Sequence, residues 1–163
     1  MPSVKRRRRG SKDAEPRRKS SVAPALRADD TPTLRRFRGD FRWDCVELEP
    51  YKLRTHRGGE FAGASRQVIA DNRGEPLAFE LRYFELAPGG FTSLERHRHC
   101  HIGVCVRGRG RARVGVRHHR IAPFDAVYIG PNQAHRLETE GRKPFGFFCI
   151  VDKRRDKPHP LEE

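Results

Sequence analysis

Pro88-Gly89-Gly90-Phe91-Thr92-Ser93-Leu94-Glu95-Arg96-His97-Arg98-His99-Cys100-His101-Ile102-Gly103-Val104-Cys105-Val106-Arg107-Gly108 opens on paired glycines, closes on a third, and holds three histidines at alternate positions. Residues two apart on a strand share a face, so Glu95, His97, His99 and His101 can all point into one interior. A further histidine, His135, follows in the turn Pro131-Asn132-Gln133-Ala134-His135. Imidazole and carboxylate at this density suit a divalent transition metal. Mn, Fe, Zn, Ni and Cu all accept such a donor set.

Outward from this stretch the text is punctuated by Gly and Pro about every ten residues. Gln67-Val68-Ile69 runs into the turn cluster Asp71-Asn72-Arg73-Gly74. Phe79 to Leu86 alternates polar and apolar residues with β-favouring aromatics, and Pro88-Gly89-Gly90 is expected to end that strand. Ile102–Val106 and Arg111–Val116 flank a turn at Arg107-Gly108-Arg109-Gly110. Ile121-Ala122, Ala126–Ile129 and Phe145–Val151 complete the set, and Trp43–Leu48 reads as a short edge strand. His118-His119 falls between two strands and reads as a solvated turn. No long 3.6-residue pattern interrupts this rhythm, which indicates a small antiparallel barrel or sandwich.

At this point the chain resembles the cupins, all-β jelly-roll barrels (a double-stranded β-helix) identified by two short motifs on hairpin-linked strands. The resemblance runs from Phe79 to Val151. The first family motif places His-x-His after a glycine, a glutamate four residues on and a glycine at a further seven. Here Gly89-Gly90 opens it and Gly108 closes it. The second is matched by Pro123-Phe124-Asp125 and Tyr128-Ile129-Gly130-Pro131-Asn132-Gln133-Ala134-His135.

The ligand set follows from that spacing together with strand geometry. Same-face neighbours on a strand lie about 6.6 Å apart and residues four apart about 13 Å, so a pair at i, i+2 needs its third partner beyond a bend. Pairing His97 with His99 puts the third slot at Gly103, which has no side chain to offer. Pairing His99 with His101 puts it at Cys105, three residues before the closing glycine. Pairing Glu95 with His97 puts it at His101, seven before Gly108 as the family asks. The resemblance therefore implies Glu95, His97, His101 and His135 as metal ligands, with the carboxylate moved from its usual family position to the first. His99 then falls in the bend, where it could brace a ligand, face solvent or substitute for one. Phe147 and Cys149 alternate on the face that lines the pocket in similar cupins, although core packing explains them equally well. Cys105 has inward parity and Cys100 the opposite. A metal-free barrel is the competing reading of the histidines.

Composition bounds the rest. The 163 residues carry a net charge of +14, and residues 1–20 hold nine Lys/Arg against two acids, half the excess. That segment, with no apolar periodicity, is expected to be a disordered tail over 1–32, followed by a barrel domain over 33–163 with its motif core at 79–151. The tail is either a solvated arm or a nonspecific contact for polyanions. No 18-residue apolar run is present, so membrane insertion is not expected. Without an h-region or a cysteine framework, a reduced, cytoplasmic chain is the expectation. Phe41, Trp43, Val46 and Leu48 could cover a sheet edge in a homodimer.

The resemblance implies a metal-dependent enzyme, oxygenase- or isomerase-like, acting on a small organic molecule, with coordination positions left for water, dioxygen or substrate. The alternative is a non-catalytic module that binds or senses a small ligand or metal. Metal-dependent turnover separates the two.

Overall fold

The computed structural model describes residues 34–52, 59–71 and 74–161, and every regular element among them is a strand. The expected tail over 1–32 lies outside the described residues. In chain order the strands are β1 (Glu49–Pro50), β2 (Ala62–Ala70), β3 (Phe79–Phe91), β4 (Glu95–Arg96), β5 (His101–Arg107), β6 (Gly110–Val114), β7 (Arg117–Ile121), β8 (Ala126–Ile129), β9 (His135–Thr139), β10 (Phe145–Asp152) and β11 (His159–Pro160). No helix among the described residues is long and apolar enough to cross a membrane.

All pairings are antiparallel. One layer runs β1-β2-β3-β10-β5-β8, and the other joins β11, β4, β9, β6 and β7. β3 belongs to both: its first half lies between β2 and β10, and Phe91 at its far end pairs with Glu138 of β9. The result is a nearly closed jelly-roll barrel. Alternation puts one face of each strand inside. Phe84 and Leu86 of β3, Cys105 of β5, Ala112 of β6, Leu137 of β9 and Phe145, Phe147, Cys149 and Val151 of β10 form the buried core. The hairpin between β5 and β6 needs its glycines: Gly108 sits at φ +65°, and a Cβ on Gly110 would lie 2.6 Å from the Phe145 ring.

Four expectations about local structure are corrected here. Pro88-Gly89-Gly90 does not end the strand. Gly89 takes φ +74° and Gly90 abuts the backbone of Ala62 and Ala87, so the chain bends and continues from one layer into the other. Trp43–Leu48 is not an edge strand. Phe37 bridges to Trp43, Phe41 and Cys45 adopt positive φ, and the aromatics collapse onto Tyr83 and Phe148 on the outer surface of the same barrel. His118-His119 lies within β7, exposed, because the turn falls at Gly115-Val116 instead. His135 opens a strand, β9, where only a turn was expected.

Candidate functional site

The three histidines of the first motif do not share one strand. Glu95 pairs with His135 in the short β4–β9 ladder, the chain then bends over residues 97–100, and β5 begins at His101. Asp156 holds that bend. Its carboxylate accepts the backbone N–H groups of Arg98 (2.9 Å) and His99 (3.1 Å) and pairs with His99 Nδ1 at 2.8 Å. These donors hold the Asp156 carboxyl well below the usual range, the Arg98 N–H most of all. Asn132 N–H donates to the His97 carbonyl at 2.7 Å and ties the second motif to the first.

The bend brings His97, His101 and His135 together, with one nitrogen of each within 4.8 Å of the others. All three are turned in the same way. His97 Nδ1–H donates to the His99 carbonyl (2.8 Å) and His135 Nδ1–H to the Gln133 carbonyl (2.9 Å), which fixes the tautomers and leaves each Nε2 a lone pair. His101 Nδ1 lies 3.3 Å from Cys149 Sγ, and its Nε2 is buried without a hydrogen-bond partner among the described residues. Ring nitrogens braced on one side and unengaged on the other are the arrangement of metal-binding imidazoles. Burial, reinforced by the charge of His135, lowers the pKa of His97 to about 4, and the same two causes lower His101 further. Burial also lowers His135. Neutral imidazole, the ligating form, is therefore favoured.

Glu95 lines the same cavity but is not in the trio. Its Oε2 accepts from Lys52 and from Ser93 Oγ (2.7 Å), and Tyr51 stands 3.1 Å beyond on Ser93. Burial and the Glu95 charge push the Tyr51 phenol up. His99 sits outside the trio, with its ring stacked on His97 at 3.6 Å between centroids and only 4° between planes.

A cavity of about 520 Å³ opens in front of the trio, and Phe147 and Cys149 form part of its wall. Burial pushes the Cys149 thiol up to about 11. Its remaining polar lining is mostly cationic, with Lys52, Arg66, Arg82, Arg155 and Lys157 facing it alongside the carboxylate of Glu95. The segment after β10 crosses the mouth, where β11 pairs with β4 and Lys157, Pro158 and Pro160 complete the rim. Sequence reasoning missed Lys52, Ser93, Arg82 and Asp156. Arg82 carried a signal in its inward parity with Phe84, and Ser93 in its place two residues before Glu95.

Comparison with known proteins agrees with this architecture. The family model of the cupin domain matches residues 82–151. A Rhodospirillum rubrum protein named 1-methylthio-D-xylulose 5-phosphate methylsulfurylase is 40% identical over 130 residues, 80% of each chain. The crystal structure of a cupin-2 domain from the same organism is similar at TM-score 0.68 and 38% identity, covering 80% of this chain and 84% of that one. A cupin 2 conserved barrel protein from Rhodopseudomonas palustris gives TM-score 0.71 and 35% identity, with 80% and 87% covered. With its barrel, both motifs and relatives of this similarity, the chain belongs to the cupin superfamily.

Proposed function

We propose that this chain is a metal-dependent enzyme that acts on a small phosphorylated organic molecule, with a methylthio-substituted ketose phosphate as the first candidate. The observation that carries the reading is the trio itself: three buried imidazoles from two motifs, each held at Nδ1 with Nε2 left over. His97, His101 and His135 would hold one divalent ion, and the donor set fits several first-row metals. Glu95 is the proposed fourth ligand. Lys52 and Ser93 engage its Oε2, which leaves Oε1 without a hydrogen bond among the described residues. When bound, the ion supplies a Lewis acid for a carbonyl or enol oxygen.

The chain's own groups then have separate tasks. Lys52 holds and directs Glu95, His99 braces the face of His97, and the apolar wall of Phe84, Leu137 and Phe147 excludes water from the reacting end. The substrate class rests on the cationic cavity and on the relative named for 1-methylthio-D-xylulose 5-phosphate. The reading extends to a homodimer and to a polyanion-binding role for residues 1–20.

The test is to load the purified chain with each divalent ion and measure metal per chain. The loaded protein is then incubated with 1-methylthio-D-xylulose 5-phosphate, with and without an added thiol, and followed by phosphorus NMR and mass spectrometry. Consumption that a chelator abolishes is the expected result. Tight metal and ligand binding without consumption under any condition would replace the enzyme by a binding module.

A further inference from the structure

The cavity wall holds a buried guanidinium whose hydrogen bonds among the described residues are incomplete. Arg82 sits on β3 directly across from Cys149 of β10, which in turn lies across from Gly103 of β5. Its side chain is 11% exposed. Arg82 Nε donates to Glu80 Oε2 at 2.6 Å, whereas Nη2 is buried and has no hydrogen-bond partner among the described residues. Arg155 approaches the same carboxylate from the segment beyond β10, with Nη1 at 2.7 Å from Oε1 and Nη2 at 3.1 Å from Oε2. Both oxygens of Glu80 are thus in use, and one carboxylate is shared by two guanidiniums. One positive charge is left over at the cavity wall. An unpaired buried donor is costly, and it is more so when charged.

We propose that Arg82, backed by Arg155, is the anchor for the phosphate group of the ligand that occupies this cavity. A guanidinium fork matches two phosphate oxygens at once. The surplus of cations on the cavity wall favours a dianion over a singly charged carboxylate. The position also fits a ligand with two separated groups. Arg82 and His101 lie on strands separated by β10 and are two residues out of register, so their backbones stand roughly 12 Å apart. A short sugar chain spans that gap, with its phosphate at Arg82 and its other end at the histidines. The inference rests on the substrate class proposed above, but it concerns binding and not turnover.

The experiment titrates metal-loaded full-length chain with ribose 5-phosphate, ribose and inorganic phosphate by calorimetry, for wild type and for Arg82→Met and Arg82→Lys. Ribose 5-phosphate should bind wild type, inorganic phosphate should compete, and ribose alone should bind far more weakly. Arg82→Met should lose about 10–100-fold in affinity for ribose 5-phosphate, the scale of a charge-assisted hydrogen bond, with metal per chain unchanged. Arg82→Lys guards against a misfolded Met variant. It keeps the charge without the fork and should still bind less tightly than wild type. Equal affinity of wild type and a folded Arg82 variant would overturn the anchor. So would a wild-type preference for a carboxylate sugar acid of the same length. Arg82-dependent binding in a protein that never turns over its candidate substrate would leave the anchor standing and remove only the enzymatic reading.

Discussion

His99→Ala and His101→Ala should have very different effects on metal content, although the two residues are only two positions apart in sequence. His101 contributes one of three clustered nitrogens, and its Nε2 has no hydrogen-bond partner among the described residues. His99 lies outside the trio and acts on it by stacking on His97 at 3.6 Å while Asp156 holds its Nδ1. A stacked pair of this kind contributes about 0.5–1.5 kcal/mol, so its loss should lower metal affinity by about 2- to 12-fold. The backbone bend survives, because Asp156 still accepts the N–H groups of Arg98 and of residue 99. Deleting a ligand should cost more than the ~10–100-fold typical of losing an outer hydrogen-bond partner. The assay is metal per chain by elemental analysis after dialysis against graded chelators, with far-UV circular dichroism to confirm the barrel. If His99→Ala emptied the site while His101→Ala kept it full, the assignment would be wrong and His97 with His99 would be the ligating pair.

Acid should destabilise the metal-free protein. The pKa of His97 falls from an ordinary ~6.5 to about 4 through burial, so the unfolded chain binds more protons between those values. Its stability contribution is therefore present above pH 6.5 and is lost as pH falls toward 4. Urea titrations at pH 7 and pH 5 should show a loss of up to ~2 kcal/mol from this residue, and a flat profile would contradict the burial argument. Gly110→Ala would press a methyl to 2.6 Å from the Phe145 ring and 2.7 Å from the Glu138 carbonyl. It should cost about 1–3 kcal/mol in urea unfolding, and a neutral result would mean the hairpin can shift. Deleting residues 1–20, which carry nine Lys/Arg, should abolish salt-sensitive retention on heparin without changing metal content. Retention unaffected by the deletion would dismiss a polyanion role for that segment.

What the sequence made legible was whatever repeats or is framed. The alternation of Phe79–Leu86 and Phe145–Val151 marked core strands, and the glycines around Glu95–His101 pointed to a bend between His97 and His101 rather than a straight strand. That bend was the condition for three rings to meet. The positions that escaped depend on long-range closure. Lys52 reaches Glu95 across 43 residues and Asp156 reaches His99 across 57, from segments with no periodicity of their own. Glycines are ambiguous for a related reason: Gly89-Gly90 reads as a terminus, yet it allows one strand to turn between two layers. Arg82 shares parity with Phe84, but parity says only that a side chain points inward. That the guanidinium must share its Glu80 partner depends on Arg155, 73 residues later.

The bracing of the histidine rings bears on how the site tolerates mutation. His97 and His135 are steadied by main-chain carbonyls, those of His99 and Gln133, and every residue type carries that group. Replacing the side chain at 133 leaves the acceptor of His135 in place, so these two rings are vulnerable mainly to insertions or deletions that reroute the backbone. His101 is different, because its support is the sulfur of Cys149, which a single codon change removes. Through the Nδ1 supports, side-chain variation thus reaches only His101, and position 149 is one place where drift or engineering could retune the site without dismantling it.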